Sequence, residues 1–141
     1  MVSKALFSKE TQEWETPQDL FDELNEEFQF TLDVCATKEN RKCERYFDKE
    51  MNGLTQNWGG RVCWMNPPYG PRIGDWLYHA RTESALGCAT VVCLLPARTD
   101  TKWFHKHVYN RAEIRFIKGR LKFGGAKNSA PFPSMIVIYR G

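Results

Sequence analysis

Apolar residues recur along this chain in two rhythms. Leu20, Phe21, Leu24 and Phe28 fall on one face of a 3.6-residue period, and Trp76, Leu77, Ala80 and Ala85 fall on another. The first set predicts a helix that opens at Thr16-Pro17. Thr16 is placed to cap it, Pro17 suits the first helical position, and Asp19 lies in the positive first turn. The second set predicts a helix over residues 75–86, stopped by Gly87. A third is expected over residues 101–109, carrying Trp103, Phe104, His107 and Val108. Between the helices lie continuous apolar runs. Residues 30–36 read as a short strand interrupted by Asp33, and residues 62–65 as a second. The run over residues 89–96 is bounded by turn residues, as expected for a strand covered on both faces, hence in a parallel sheet. Two more strands are expected near residues 112–117 and 135–139, and Asn52-Gly53 is a turn signal. Alternating strands and helices predict an α/β layered sheet with helices on both faces, a single domain over residues 14–141 after a loose polar lead-in at residues 1–13.

Composition fits this picture. The 141 residues are 42% apolar and 13% aromatic, enough for one real core. Five cysteines, with Cys63 and Cys93 inside apolar runs and no C-x-x-C pair, read as reduced thiols of a cytoplasmic protein. His105-x-His107 has no second ligand pair beside it, so no metal is expected. No segment is long and apolar enough to span a membrane. Net charge is +3 but uneven: acids outnumber bases through Glu50, and bases dominate after Gly60. A basic C-terminal half is suited to a polyanion.

The chemistry centres on Asn66-Pro67-Pro68-Tyr69, directly after the apolar residues 62–65. Two prolines cannot donate to a strand ladder, so the strand stops and the chain leaves in a rigid extended turn. An amide, a released proline carbonyl and an aromatic ring then stand together. They suit a flat ring bearing an exocyclic amine. Adenine, guanine and a glutamine amide all remain open as acceptors on this motif alone.

Other segments narrow the choice. Trp14-x-Thr16-Pro17, Leu32-Asp33-Val34-Cys35-Ala36, Asn40, Asn52-Gly53-Leu54 before Trp58, Asn66-Pro67-Pro68-Tyr69, Leu94-Leu95-Pro96 before Trp103-Phe104, and Gly119-Arg120-Leu121-x-Phe123 follow in that order. Together they resemble the phage-type DNA adenine N6-methyltransferases (Dam-like), over nearly the whole chain. The resemblance implies a compact, reduced Rossmann-like fold and methyl transfer from S-adenosylmethionine to adenine N6 of double-stranded DNA, with the adenine flipped out of the duplex. It implies that Asn66, Pro67, Pro68 and Tyr69 are catalytic: the Asn66 side chain and the Pro67 carbonyl accept from the amine, and Tyr69 stacks on the base. It also implies a phage or prophage origin in a bacterial host.

On the cofactor side, the resemblance points to Trp14, Thr16 and Pro17 as a segment closing over the methionine end, and to Asp33, Cys35 and Ala36 after the first strand. Asp33 would take the cofactor's ammonium group. Only 18 residues lie between Asp33 and Asn52, too few for a full crossover helix plus two strands, which leaves Asp48 and Asn52 as candidates for the ribose. For DNA, the candidates are Arg72, Arg98, Lys102, Arg120, Lys122 and Lys127, the last three on a segment expected to form a hairpin reaching the duplex. The rival expectations are an amino methyltransferase acting on RNA guanine or protein glutamine, and a non-catalytic DNA-binding relative.

Overall fold

A computed structural model describes residues 13–141. The expected lead-in, apart from Glu13, lies outside the described residues. Helix α1 runs Gln18–Phe28, and Phe21 N donates to Pro17 O at 3.1 Å to close its first turn. Pro17 is therefore the N-cap, and the helix starts one residue later than expected. Thr16 is not the cap. Its hydroxyl is buried and bonded elsewhere. The helix ends where Gln29 turns left-handed and Asn25 Oδ1 accepts from Phe30 N at 2.8 Å.

Strand β1 pairs formally only over Leu32–Asp33, shorter than the run over residues 30–36. Its outer edge is occupied by residues 45–47: Asp33 N donates to Arg45 O, and Phe47 N donates to Asp33 O. The edge is thereby covered rather than left as a template for aggregation. Strands β2 (Val62–Met65), β3 (Thr90–Pro96), β4 (Glu113–Phe116) and β5 (Ser134–Tyr139) complete a five-stranded sheet in the order β1-β2-β3-β5-β4. β1, β2 and β3 are parallel, and β5 runs antiparallel to both β3 and β4. The parallel sheet expected from β3 thus holds on one side of that strand only. Helices on both faces bury β3 equally whichever way its neighbours run, so burial alone could not report direction.

Helices α2 (Ile73–Gly87) and α3 (Lys102–His107) lie on one face, α1 on the other. The register shows it. Cys63 pairs with Val91 and Val91 with Tyr139, whose hydroxyl donates to His107 O at the end of α3. Trp64, one residue on, points the opposite way and meets Phe21 of α1 edge-on at 5.6 Å. Gly87 does not stop α2 by turning left-handed; Cys88 does so. Gly87 instead lets the Gly59 backbone approach, since a Cβ there would sit 3.2 Å from Gly59 Cα. Among the described residues, no helix is long and apolar enough to cross a membrane.

Candidate active site

Three parallel strands send their carboxyl ends to one edge of the sheet, where open α/β sheets bind ligands. A cavity of about 570 Å³ opens there. That is within the roughly 300–1,000 Å³ of small-molecule sites. Trp14 and Thr16 wall it from the N-terminal strap, Asp33, Cys35 and Ala36 from the end of β1, and Asn66, Pro67 and Pro68 from the end of β2. Asn52 also lines it, as does Asp48. Of the residues predicted for catalysis and cofactor binding, two do not. Pro17 is buried at the start of α1, and Tyr69 is buried beneath the turn.

Asn66 is held by two bonds. Its Nδ2 donates to Trp14 O and to Thr16 Oγ1, the latter at 3.0 Å. Its Oδ1 is buried and has no hydrogen-bond partner among the described residues. Only this amide orientation is compatible with the strap, because reversing it would set Oδ1 against the Trp14 carbonyl oxygen. A buried acceptor without a donor costs roughly 1–3 kcal/mol, and such groups concentrate at sites built for a ligand. In the same turn the Pro68 carbonyl accepts from Gly70 N at 3.1 Å, leaving the Pro67 carbonyl outside that bond.

Tyr69 is not the open stacking platform the motif suggested. It is 4% exposed, and its hydroxyl donates to Leu94 O at 3.0 Å. Its ring meets Phe132 at 5.8 Å and Phe123 at 6.3 Å, both edge-on. Trp14 joins the cluster, 5.3 Å from Phe123 and 5.1 Å from Phe132. An aromatic ring beside two buried phenylalanines gains more by packing with them than by facing an open cavity. No strand forms over residues 119–133, where a hairpin was expected, although Ala130 N donates to Leu121 O at 2.7 Å across the segment that joins the antiparallel β4 and β5. Phe123 and Phe132 pin the segment down, and Gly124 N donates to Glu15 O at 2.9 Å.

Asp33 is 2% exposed. Burial pushes its carboxyl up to about 6, against the opposing pull of backbone N–H groups from Lys42 and Cys35. Oδ1 accepts from Cys35 N at 3.3 Å and Oδ2 from Lys42 N at 3.0 Å. A carboxylate offers about four acceptor positions, so two remain. Burial pushes the Cys35 thiol up to about 12, so it is an inert wall and not a nucleophile. Asn52 holds a left-handed turn and accepts from Leu54 N at 3.2 Å; Asp48 Oδ1 accepts from Met51 N at 2.9 Å. The turn allows Gly53 to lie so close to Val34 that a Cβ there would come within 2.3 Å of its carbonyl oxygen.

Of the basic candidates, Arg72 lines the cavity and is paired with Asp75 at 2.5 Å. Arg98 sits 5.6 Å over the Phe132 ring. Lys102, Arg120, Lys122 and Lys127 are exposed and do not line the cavity. The histidines part: His105 Nε2 bonds Thr99 O and His107 Nδ1 bonds Arg81. No group of three or more metal-ligating side chains gathers among the described residues. Sequence reasoning missed three aromatic residues that line the cavity, Phe47, Trp64 and Trp76. Phe47 reads as an anchor of a charged connection and Trp76 as the core face of a helix, and nothing in their spacing separates a wall from a core.

A model of the DNA N-6-adenine-methyltransferase (Dam) family matches residues 3–141. This chain belongs to that family. It is 35% identical over 148 aligned residues to a DNA N-6-adenine-methyltransferase of Haemophilus phage HP1 (strain HP1c1), an alignment covering 99% of this chain and 85% of that protein. It is 33% identical over 110 residues to a DNA N-6-adenine-methyltransferase of Escherichia phage T1, covering 77% of this chain and 45% of that protein. The ordered segments from Trp14 to Phe123 fall within the family match.

Proposed function

We propose that this chain transfers a methyl group from S-adenosylmethionine to adenine N6 of DNA, within the cavity at the ends of β1 and β2. The observation that carries the reading is the buried Oδ1 of Asn66, which has no hydrogen-bond partner among the described residues. It is an acceptor in search of an N–H donor, and the amino group of a flipped adenine supplies one.

The N6 lone pair is conjugated into the purine ring and is a weak nucleophile. Accepting one N6 hydrogen at Asn66 Oδ1 and the other at the Pro67 carbonyl favours a pyramidal nitrogen with its lone pair directed at the methyl carbon. These residues act by orientation. The cofactor, when bound, supplies an electrophilic sulfonium methyl. Transfer to the nitrogen held by Asn66 and Pro67 would form a nitrogen–carbon bond as the carbon–sulfur bond breaks, with loss of the sulfonium charge and of one nitrogen proton to solvent.

The cavity suits such a cofactor in chemistry as well as size. Asp33 offers the remaining acceptor positions of a buried carboxylate for an ammonium group. Phe47 and Trp76 offer apolar surface for an adenine ring, and Asp48 and Asn52 offer polar groups for a ribose. Trp14 and Thr16 form the strap along one side, with Pro17 buried behind them at the start of α1. Lys102, Arg120, Lys122 and Lys127 suit phosphate contacts, with Arg72 and Arg98 nearer the turn. Flipping the base costs a few kcal/mol, roughly, and stacking and edge contacts offset it. Stacking by Tyr69 requires residues 119–133 to shift and release its ring. The test is an acceptor screen with methyl-labelled cofactor. Label is expected in duplex DNA; label confined to RNA or to protein glutamine would replace this reading with another acceptor.

A further inference from the structure

We infer that Thr16 is a positioning residue for Asn66, and that its hydroxyl, together with the Trp14 carbonyl, sets which atom of the Asn66 amide faces the reacting group. This rests on the function proposed above and names a role that the cofactor strap does not by itself imply. The geometry is specific. Thr16 Oγ1 is an acceptor for two N–H groups, Trp64 Nε1 at 3.2 Å and Asn66 Nδ2 at 3.0 Å. Trp64 is fully buried in β2 and pressed by Phe21 and Phe30, so its indole nitrogen is a fixed point. Thr16 itself is 5% exposed. The hydroxyl therefore has little freedom, and with both lone pairs engaged by donors it presents an acceptor, never its proton, to Asn66.

The consequence is polarity. An amide side chain offers oxygen on one side and nitrogen on the other, and the two faces suit opposite ligands. With Nδ2 held between Trp14 O and Thr16 Oγ1, Oδ1 takes the other side of the amide, where it is buried and has no hydrogen-bond partner among the described residues. The site then accepts an amine and disfavours a carbonyl or an ether oxygen. Without Thr16, one acceptor remains and the amide is free to rock about its last torsion. Thr16 acts on the rate of transfer through Asn66, whereas a residue serving the cofactor alone would act on its affinity.

The test uses Thr16→Val, which keeps shape and removes the acceptor, and Thr16→Ser, which restores it. Single-turnover methyl transfer is measured at saturating cofactor and DNA, with cofactor affinity by calorimetry and folding by thermal melting. Exchange of the Asn66 side-chain amide protons is followed by NMR, assigned with Asn66→Ala. Loss of one hydrogen bond to the positioned group should slow transfer in Thr16→Val about tenfold or more, while Thr16→Ser stays within about threefold. Slow Asn66 amide exchange is expected in the wild type and in Thr16→Ser, and fast exchange in Thr16→Val. Unprotected Asn66 protons in the wild type would overturn the inference, even if Thr16→Val fails to fold. So would a Thr16→Val enzyme that loses cofactor affinity while keeping its transfer rate at saturation. If the wild type methylates no nucleic acid, the proposed activity falls, and the exchange rates still decide whether Thr16 anchors Asn66.

Discussion

At the scale of single residues, the site depends on which polar atoms are satisfied and which are not. Asn66 and Asp33 are both half-committed: each spends part of its hydrogen-bonding capacity on the fold and keeps part for the cavity. For Asp33 this predicts a pH dependence. Its carboxyl titrates near 6 in the free protein, above its ordinary 3.8, because it is desolvated. A cofactor ammonium favours the carboxylate, so binding below pH 6 must expel a proton. Affinity should be flat from pH 6 to about 7.5, where the cofactor's α-amino group keeps its proton, and fall about tenfold per pH unit below 6, until the lowered carboxyl of the complex is reached. The same shift acts on the free fold in the opposite sense. The folded state holds this proton more tightly than the unfolded chain, so its contribution is present below pH 4 and lost as pH rises through 6. Calorimetry at pH 5 and 7 checks the binding slope, and Asp33→Asn should abolish it. Tyr69 requires a different variant from the one its motif invites. Because the ring is buried among Phe123 and Phe132, Tyr69→Ala should cost about 3–5 kcal/mol of stability, and its inactivity would say nothing of catalysis. Tyr69→Phe keeps the ring and loses only the bond to Leu94 O; a melting shift of a few degrees with transfer largely retained is expected.

At the scale of elements, the N-terminal strap and residues 119–133 behave as one unit. Trp14 packs against both phenylalanines of the later segment, and Glu15 O accepts from Gly124 N. Phe123→Ala should loosen both together, raising amide exchange at residues 13–16 as well as around residue 123, which hydrogen-exchange mass spectrometry would read. This pairing was invisible in the sequence, since residues 14 and 123 are far apart and nothing local marks Phe123 as a partner. What was legible had strong local signals. The helix face of α1, that of α2 apart from Ala85 (exposed, with Ser84 buried instead), the apolar runs of β2 and β3, and the halt at Pro67-Pro68 follow from period and proline chemistry. The parallel order of β1–β3, which brings Asp33 and Asn66 to one edge, was reachable as a condition on those runs. Lost to the sequence were the antiparallel entry of β5, which burial cannot encode, and the real partner of Thr16. A threonine before a proline is the usual cap signal, and tertiary contacts to Trp64 and Asn66 overrode it.

At the scale of the whole molecule, charge divides the labour. Glu27 and Glu113 at the far side of the sheet are committed to Arg115 and Arg140, while Arg120, Lys122 and Lys127 stand exposed on the segment next to the cavity. If those three contact phosphates, DNA affinity should fall linearly with salt on a log–log plot, and Lys122→Ala should reduce the slope by about 1 while leaving cofactor affinity unchanged. A slope identical to the wild type would remove Lys122 from the interface. The central claim, that the buried Asn66 Oδ1 receives an adenine amine, has a more direct test. Duplex DNA is incubated with S-adenosylmethionine and either wild-type protein or Asn66→Ala, digested to nucleosides, and analysed by mass spectrometry. The account predicts N6-methyladenine with the wild type and a loss of about a hundredfold or more with Asn66→Ala, at similar cofactor affinity. Methylation at cytosine, or N6-methyladenine undiminished in Asn66→Ala, would contradict it.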